Sequence, residues 1–354
     1  MNSALTTARP FALALALGLC GGFVFMEISM PLPWMLGPLF TVGLAGIRGT
    51  RVRDIRGSRQ AGQFVIGCAL GLYFTAQVGH QLLDFGVYIL AAAFIAILIG
   101  ALGGLLLKRI AGTTGITSYF ASVPGGAAEM AILAERAGAR FDQVALAHSI
   151  RVLLVVSTVP IAVTLSGASG ADLYAPATAQ IVLTGLLMLS LLAGVAAWLF
   201  MRAGIPNAWL LGPLTVSLLL TLTGHSSSAI PPFLINAAQV FIGCSLGARF
   251  KPSLRSESRR LIIGIVATAA FTLSLSVIMG LVLAWLSGVA PATMVLATSP
   301  GGLSEMCITA KILKLGVPLV TSYQVARLAI VVTFSLPVWR LLQRIRAKMQ
   351  TPRG

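Results

Sequence analysis

Uninterrupted apolar runs restrict the fold of this chain more than any other feature of its sequence. Val87 to Leu107 and Leu261 to Leu286 contain no charged residue. At 1.5 Å per helical residue, each is long enough to cross about 30 Å of hydrocarbon. Inside a bilayer every backbone N–H and C=O must find a partner within the protein, so such runs are read as transmembrane helices. The composition agrees: 57% of residues are hydrophobic, only 10% are charged and the mean hydropathy is +0.94. A soluble domain carries about a quarter charged residues. Residues 11–28 have the apolar character of a secretory signal, but no small-x-small cleavage site follows them and further apolar segments continue directly. They are read as the first membrane helix.

The formal net charge is +16, which raises the question of a nucleic-acid partner. The positions of the basic residues answer it. Arg48, Arg51, Arg53, Arg56 and Arg59 crowd one short connection, Arg249, Lys251, Arg255, Arg259 and Arg260 another, and Arg340 to Arg353 the C-terminal tail. Clustering in short loops is the positive-inside pattern of a membrane protein. No aromatic residues interleave with these clusters as a nucleic-acid surface requires, so no direct nucleic-acid partner is expected. Cys20, Cys68, Cys244 and Cys307 all lie in apolar stretches without a Cys-x-x-Cys pair, and they read as buried side chains.

The chain repeats itself with a period near 176. Pro33-Trp34-Met35-Leu36-Gly37-Pro38-Leu39 returns as Ala208-Trp209-Leu210-Leu211-Gly212-Pro213-Leu214, and the segment Gln63 to Cys68 returns as Gln239 to Cys244. Ser122-Val123-Pro124-Gly125-Gly126 with Glu129-Met130 returns as Thr298-Ser299-Pro300-Gly301-Gly302 with Glu305-Met306, and Arg151 returns as Arg327. The repeats are assigned to 1–170 and 171–354. Equivalent loops carry opposite charge patterns. The five-arginine loop at 48–59 corresponds to the uncharged 224–232, and the basic loop at 249–260 to 75–86, which has no Lys or Arg. The repeats are therefore expected to be inverted, with an odd number of crossings in each.

The expected fold is an all-α polytopic membrane protein in which each repeat has about five transmembrane helices plus one re-entrant Pro-Gly-Gly hairpin. The crossings are placed at 11–28, 33–47, 61–76, 86–107 and 143–166, then at 179–201, 206–223, 232–248, 261–287 and 318–341. This arrangement puts both termini in the cytoplasm of a bacterial inner membrane. Of the 25 Lys and Arg, 21 then fall on the cytoplasmic side, Arg151 and Arg327 lie within the membrane, and Lys311 and Lys314 lie outside. The segments 113–137 and 290–316 remain. Each is broken at its centre by Pro-Gly-Gly, and each arm is about half a membrane long. They are read as hairpins with tips near the midplane, one entering from each side. A full crossing kinked at the proline is the alternative, but it would give six crossings per half and contradict the charge inversion.

Non-helical backbone survives in a bilayer only where it is buried in protein or lines a wet cavity. Paired Gly/Pro-broken segments at corresponding positions of inverted halves point to a substrate pathway in secondary transporters. The candidate substrate-binding residues are therefore Pro124, Gly125, Gly126 and Glu129, their counterparts Pro300, Gly301, Gly302 and Glu305, and the two intramembrane arginines Arg151 and Arg327. The glutamates stand in the first turn of the arm after each tip, where a carboxylate either caps the helix or titrates with a coupling proton. Arg151 and Arg327 need partners inside the membrane, either in an ion pair with Glu129 or Glu305 or with an anionic substrate. The prolines of the Trp-x-Leu-Gly-Pro-Leu segments read as kinks, and Gly67-x-x-x-Gly71 and Gly243-x-x-x-Gly247 as faces for close helix packing. His80, His148 and His225 are scattered, with no carboxylate or Cys at ligand spacing, so no metal or other cofactor is called for. His148 lies one turn before Arg151, within reach of its network.

The paired Trp-x-Leu-Gly-Pro-Leu and Pro-Gly-Gly-x-x-Glu-Met segments resemble the AbrB-duplication family of bacterial membrane proteins over nearly the whole chain. The pattern matches at Trp34, Leu36, Gly37, Pro38, Pro124, Gly125, Gly126 and Glu129, and again at Trp209, Leu211, Gly212, Pro213, Pro300, Gly301, Gly302 and Glu305. The resemblance implies one of two labels, regulator of gene expression or ammonia monooxygenase. The second asks for a metal or organic cofactor that three scattered histidines do not supply, so no enzyme is expected. The first is compatible with a membrane protein acting indirectly on expression. The leading expectation is a secondary transporter of a small, anionic metabolite, with a membrane-embedded sensor or regulator as the alternative. The partners are the lipid bilayer and a small-molecule ligand, and homo-oligomerisation is left open.

Overall fold

The computed structural model describes residues 2–54, 57–168, 176–178, 180–225, 228–252 and 257–350. Arg56, Arg255 and Arg353 of the basic clusters, and the repeat boundary at 170/171, lie outside these residues. The chain forms the helices α1 (Asn2–Glu27), α2 (Pro33–Ile47), α3 (Ser58–Gly71), α4 (Ala76–Asp84), α5 (Gly86–Ala111), α6 (Gly115–Ser122), α7 (Ala127–Arg136) and α8 (Phe141–Leu165). They are followed by α9 (Leu183–Arg202), α10 (Ala208–Leu222), α11 (Pro232–Gly247), α12 (Arg259–Ser287), α13 (Pro291–Thr298), α14 (Leu303–Ile312) and α15 (Val317–Gln350).

Six of these helices, α1, α5, α8, α9, α12 and α15, are long and apolar enough to cross a membrane. The protein is a multi-pass, all-helical membrane protein. The other four expected crossings are shorter. α2, α10 and α11 are apolar helices of 15, 15 and 16 residues, and α3 stops at Gly71 and bends by 91° into α4, a helix the sequence reading did not anticipate. Helices of this length span about 22–24 Å, less than the hydrocarbon thickness.

The chain divides into two compact units, and neither unit is a sequence repeat. The first comprises Met1–Asp84, Val156–Glu257 and Ser304–Leu319; the second comprises Phe85–Val155, Ser258–Leu303 and Val320–Gly354. Each draws on both halves of the sequence.

In the first unit the small residues set the packing. A Cβ on Gly37 would lie 2.3 Å from the backbone of Gly21, and one on Gly212 would lie 2.6 Å from the backbone of Ala197. The same residue of each Trp-x-Leu-Gly-Pro-Leu segment thus seats its helix on the preceding one. The Gly-x-x-x-Gly faces work the same way. Gly67 and Gly71 of α3 meet Leu210 and Ser217 of α10, and Gly243 and Gly247 of α11 meet Met35 and Leu39 of α2. These contacts advance in the same sense on both partners, so α3 runs parallel to α10 and α2 parallel to α11. Pro38 and Pro213 remain inside continuous helices.

In the second unit α6 and α13, the arms before the two Pro-Gly-Gly turns, lie along long spans. α5 and α12 end on glycines in the left-handed region, Gly112 at φ 66° and Gly288 at φ 70°, which release the chain into the turns before α6 and α13. α6 then ends at Val123 and α13 at Ser299, both extended, because a following proline disfavours helical backbone. Gly104 of α5 packs on Ser118 and Tyr119, and Gly100 on Val123 and Pro124, so α6 runs antiparallel to α5 and its tip lies near the middle of that span. Likewise Gly280 of α12 packs on Met294, Val295 and Thr298, and Thr298 Oγ1 donates to Ser276 O at 2.9 Å. The second tip is also near mid-span. α5 and α12 themselves run antiparallel, with Gly103 against Thr268 and Thr272, and Gly264 against Leu107 and Ala111.

At the first interruption the chain doubles back: the Arg140 N–H just before α8 donates to Thr117 Oγ1 at 3.1 Å, so the chain returns after α7 to the level at which α6 began.

Overpacking at a helix contact costs roughly 1–3 kcal/mol. Gly37→Val and Gly212→Val should therefore each lower the thermal unfolding midpoint of the detergent-solubilised protein. Gly194→Ala in α9, where a Cβ meets nothing within 4 Å, should leave it unchanged or raise it slightly.

Candidate functional site

Arg151 and Arg327 are 3% and 7% exposed, and each holds one hairpin tip in the second unit. Arg151 Nη1 donates to Val123 O and Nη2 to Gly125 O, both at 3.2 Å. Arg327 Nη1 donates to Ser299 O at 2.6 Å and Nη2 to Gly301 O at 3.1 Å. The carbonyls are related by the same offset as the arginines, so the sequence repeat extends to individual hydrogen bonds. These carbonyls belong to the non-helical backbone on either side of Pro124 and Pro300, and Val123 O also accepts from the Gly125 N–H at 2.9 Å.

A third side chain completes each clamp. In the first, Arg151 Nη2 lies 2.9 Å from His148 Nδ1, and His148 Nε2 lies 3.0 Å from Phe120 O. If Arg151 donates to Nδ1, the imidazole is neutral with its proton on Nε2, which is donated in turn to the carbonyl. In the second, Arg327 Nη2 donates to Gln324 Oε1 at 2.5 Å, and Gln324 Nε2 lies 3.1–3.3 Å from Leu296 O, Ala297 O and Ser299 O. His148 and Gln324 occupy equivalent positions. The sequence reading placed His148 within reach of Arg151 but passed over Gln324, although the repeat offset from His148 leads directly to it.

Arg151 and Arg327 are both buried within the second unit. Two cations whose donors face inward make this part of the second unit electropositive. Beside Arg151 is a cavity of about 10 Å³, lined in part by Ser122, Thr268 and Thr272. Ser122 Oγ, Thr268 Oγ1 and Arg151 Nε are buried without a protein hydrogen-bond partner. The cavity has the size of one water molecule, which could satisfy them.

The two glutamates have different surroundings. Glu129, in the second unit, is half-buried, and its carboxylate folds back over Gly126, so that a Cβ there would lie 2.1 Å from Glu129 Oε2. Glu305, in the first unit, is fully buried. Its Oε1 lies 3.7 Å from Arg59 Nη2, and its Oε2 accepts a hydrogen bond from Ser304 Oγ at 3.1 Å. Arg59 read in sequence as one more member of a basic loop. It stands instead in the first turn of α3, 24% exposed, as the ion-pair partner of Glu305. Its equivalent in the other repeat is Ile235, so periodicity gave no signal for it. Farther along, Lys311 Nζ of α14 donates to the OH of Tyr73, two residues past the end of α3, at 3.0 Å, so α14 runs beside α3 in the same direction. Cys68, Cys244 and Cys307 are buried but Cys20 is exposed, a departure from its expected burial. Among the described residues no group of three or more His, Cys, Asp or Glu side chains is placed to hold a metal ion.

Removing either clamp forfeits two charge-assisted hydrogen bonds worth roughly 1.5 kcal/mol each and strands buried carbonyls. Arg151→Leu and Arg327→Leu should each reduce the folded, monodisperse yield in detergent. Arg53→Leu, at an exposed position, should not. Equal yields from all three would show that the clamps contribute nothing to folding.

The AbrB family model, described as "Transition state regulatory protein AbrB", matches residues 34–343. The chain is 28% identical to "Uncharacterized protein YhjN" of Bacillus subtilis (strain 168), with 94% of this chain and 93% of that one covered. It is 25% identical to "Putative regulator AbrB" of Escherichia coli (strain K12), with 86% and 88% covered. The match takes in both arginine clamps and both hairpins, and the chain belongs to the AbrB family.

Proposed function

We propose that this protein is a secondary transporter of a small, carboxylate-bearing metabolite, built from two inverted repeats in the inner membrane with both termini in the cytoplasm. The observation that carries the reading is the duplicated clamp, in which each Pro-Gly-Gly turn is held by its own buried arginine. Antiparallel α5 and α12, which are equivalent helices of the two halves, support the inversion. So does the parallel pairing of α2 with α11 and of α3 with α10. A non-helical turn clamped from behind leaves the first N–H groups of the following helix without intrahelical partners. Helix N-termini near two cations favour an anion. Glu129 is half-buried at the start of α7, where an ionised carboxylate competes with a bound anion for those donors and a protonated one does not. That is the behaviour expected of a proton-coupled site. No catalytic step is assigned to the chain.

The name of the Escherichia coli relative favours a regulator, and a transporter or a ligand sensor could each alter gene expression through a metabolite. Uptake separates them. The purified chain in proteoliposomes, given an inward proton gradient and a panel of radiolabelled mono- and dicarboxylates, should accumulate at least one of them. Saturable binding without accumulation would favour the sensor, and neither binding nor accumulation would end both readings. Val at Gly126 or Gly302 should abolish uptake while the protein stays folded, and Glu129→Gln should flatten its pH dependence. For topology, Arg53→Cys and Glu257→Cys in a cysteine-free background should label only from the cytoplasm. Labelling of either from the periplasm would refute the inverted arrangement.

A further inference from the structure

The second unit carries a groove of about 530 Å³ between α5, α6 and α15, a volume typical of ligand sites. Leu98, Leu102 and Leu105 of α5 line one side, and Trp339 and Ile345 of α15 the other. The three leucines are more than half exposed, so the groove opens sideways along the span. Its floor is rigid. Tyr119 donates to Ser335 O at 2.9 Å, its ring lies 5.2 Å from that of Trp339, and Gly104 brings α5 onto the α6 backbone. At one end the apolar lining gives way to Lys108 and Gln343. Arg109 follows Lys108, and Arg340 and Arg344 flank Gln343; all four cations are exposed. No lining residue is acidic.

We propose that this groove is a binding site for an anionic phospholipid, with an acyl chain lying along the leucines and the phosphate held by Lys108 within the collar of Arg109, Arg340 and Arg344. A sideways-opening apolar channel ending in cations matches a molecule with a long tail and a negative head, and basic pockets between membrane helices bind such headgroups. Trp339 stands where the groove turns polar, the position an interfacial aromatic prefers. A second copy of the chain fits less well. A two-fold contact over this face would bring the basic collar close to its own image, with no acidic residue to offset the repulsion.

The test uses the full chain in detergent, mixed with equal amounts of phosphatidylglycerol and phosphatidylcholine of identical chain composition, with bound lipid counted by native mass spectrometry. The expected result is preferential retention of phosphatidylglycerol, falling about fivefold for each cation removed in Lys108→Gln and Arg344→Gln. Leu102→Trp, which fills the groove, should reduce retention of both lipids. Should a variant fold poorly, the wild-type preference can be followed with salt, and it should shrink as ionic strength rises. Millimolar glycerol phosphate should not displace the lipid; complete displacement would make the site one for a free phosphate. Equal retention of the two lipids, a preference unchanged in the double variant, or a dimer that excludes lipid would each overturn the proposal.

Discussion

A helix that stops in the middle of a bilayer leaves carbonyls with no water to turn to, and each costs several kcal/mol unless the protein brings it a donor. Much of this protein's second unit is arranged around that constraint. Pro124 and Pro300 end their helices, and Arg151 and Arg327 reach back from α8 and α15 to the carbonyls on either side of those prolines. A guanidinium group suits the task because its planar fork donates to two carbonyls at once and stays charged when buried. The carbonyls in turn provide the solvation that a buried cation requires. Neither the broken backbone nor the arginine is stable at this depth alone, so each accounts for the presence of the other.

The first unit solves a different problem with smaller residues. Helices of 14–16 residues are short for a span and must be held by neighbours. Between helices in lipid the hydrophobic effect contributes little, and close backbone approach has to do the holding. Gly37, Gly67, Gly212 and Gly243 each admit a neighbouring backbone to within about 2.3–2.6 Å of where a Cβ would stand, an approach that no other residue permits. The two repeats place these glycines at matching positions, so one packing solution is used twice.

The sequence made the interruptions, the intramembrane arginines and the membrane-spanning class legible because each is a violation: a proline in an apolar helix, a charge in lipid, an apolar run too long for a core. Violations are visible without coordinates. The length of α3 and the turn into α4 were not, since the apolar stretch from Ala61 to Ala76 continues through a bend that only packing against α10 fixes. Arg59 was misread for a related reason. In a cluster of five arginines the one that enters the protein looks the same as the ones that set topology, and only geometry shows that Glu305 is its partner. Gln324 escaped because an amide in an apolar helix is a weak signal by itself; its meaning comes from His148 at the equivalent position.

The two clamps share their geometry but not their third member, and the chemical difference has consequences. Gln324 does not ionise, and its amide oxygen accepts from Arg327 while its nitrogen lies within reach of three carbonyls. His148 accepts from Arg151 only while Nδ1 keeps its lone pair. A proton placed there would set a second cation against Arg151 and remove an acceptor from its Nη2 in the same event. The carboxylate over the first tip, Glu129, is also the more exposed of the pair, whereas Glu305 is sealed against Arg59. Both differences set the first hairpin apart from the second in chemistry, while the backbone geometry of the two clamps is kept.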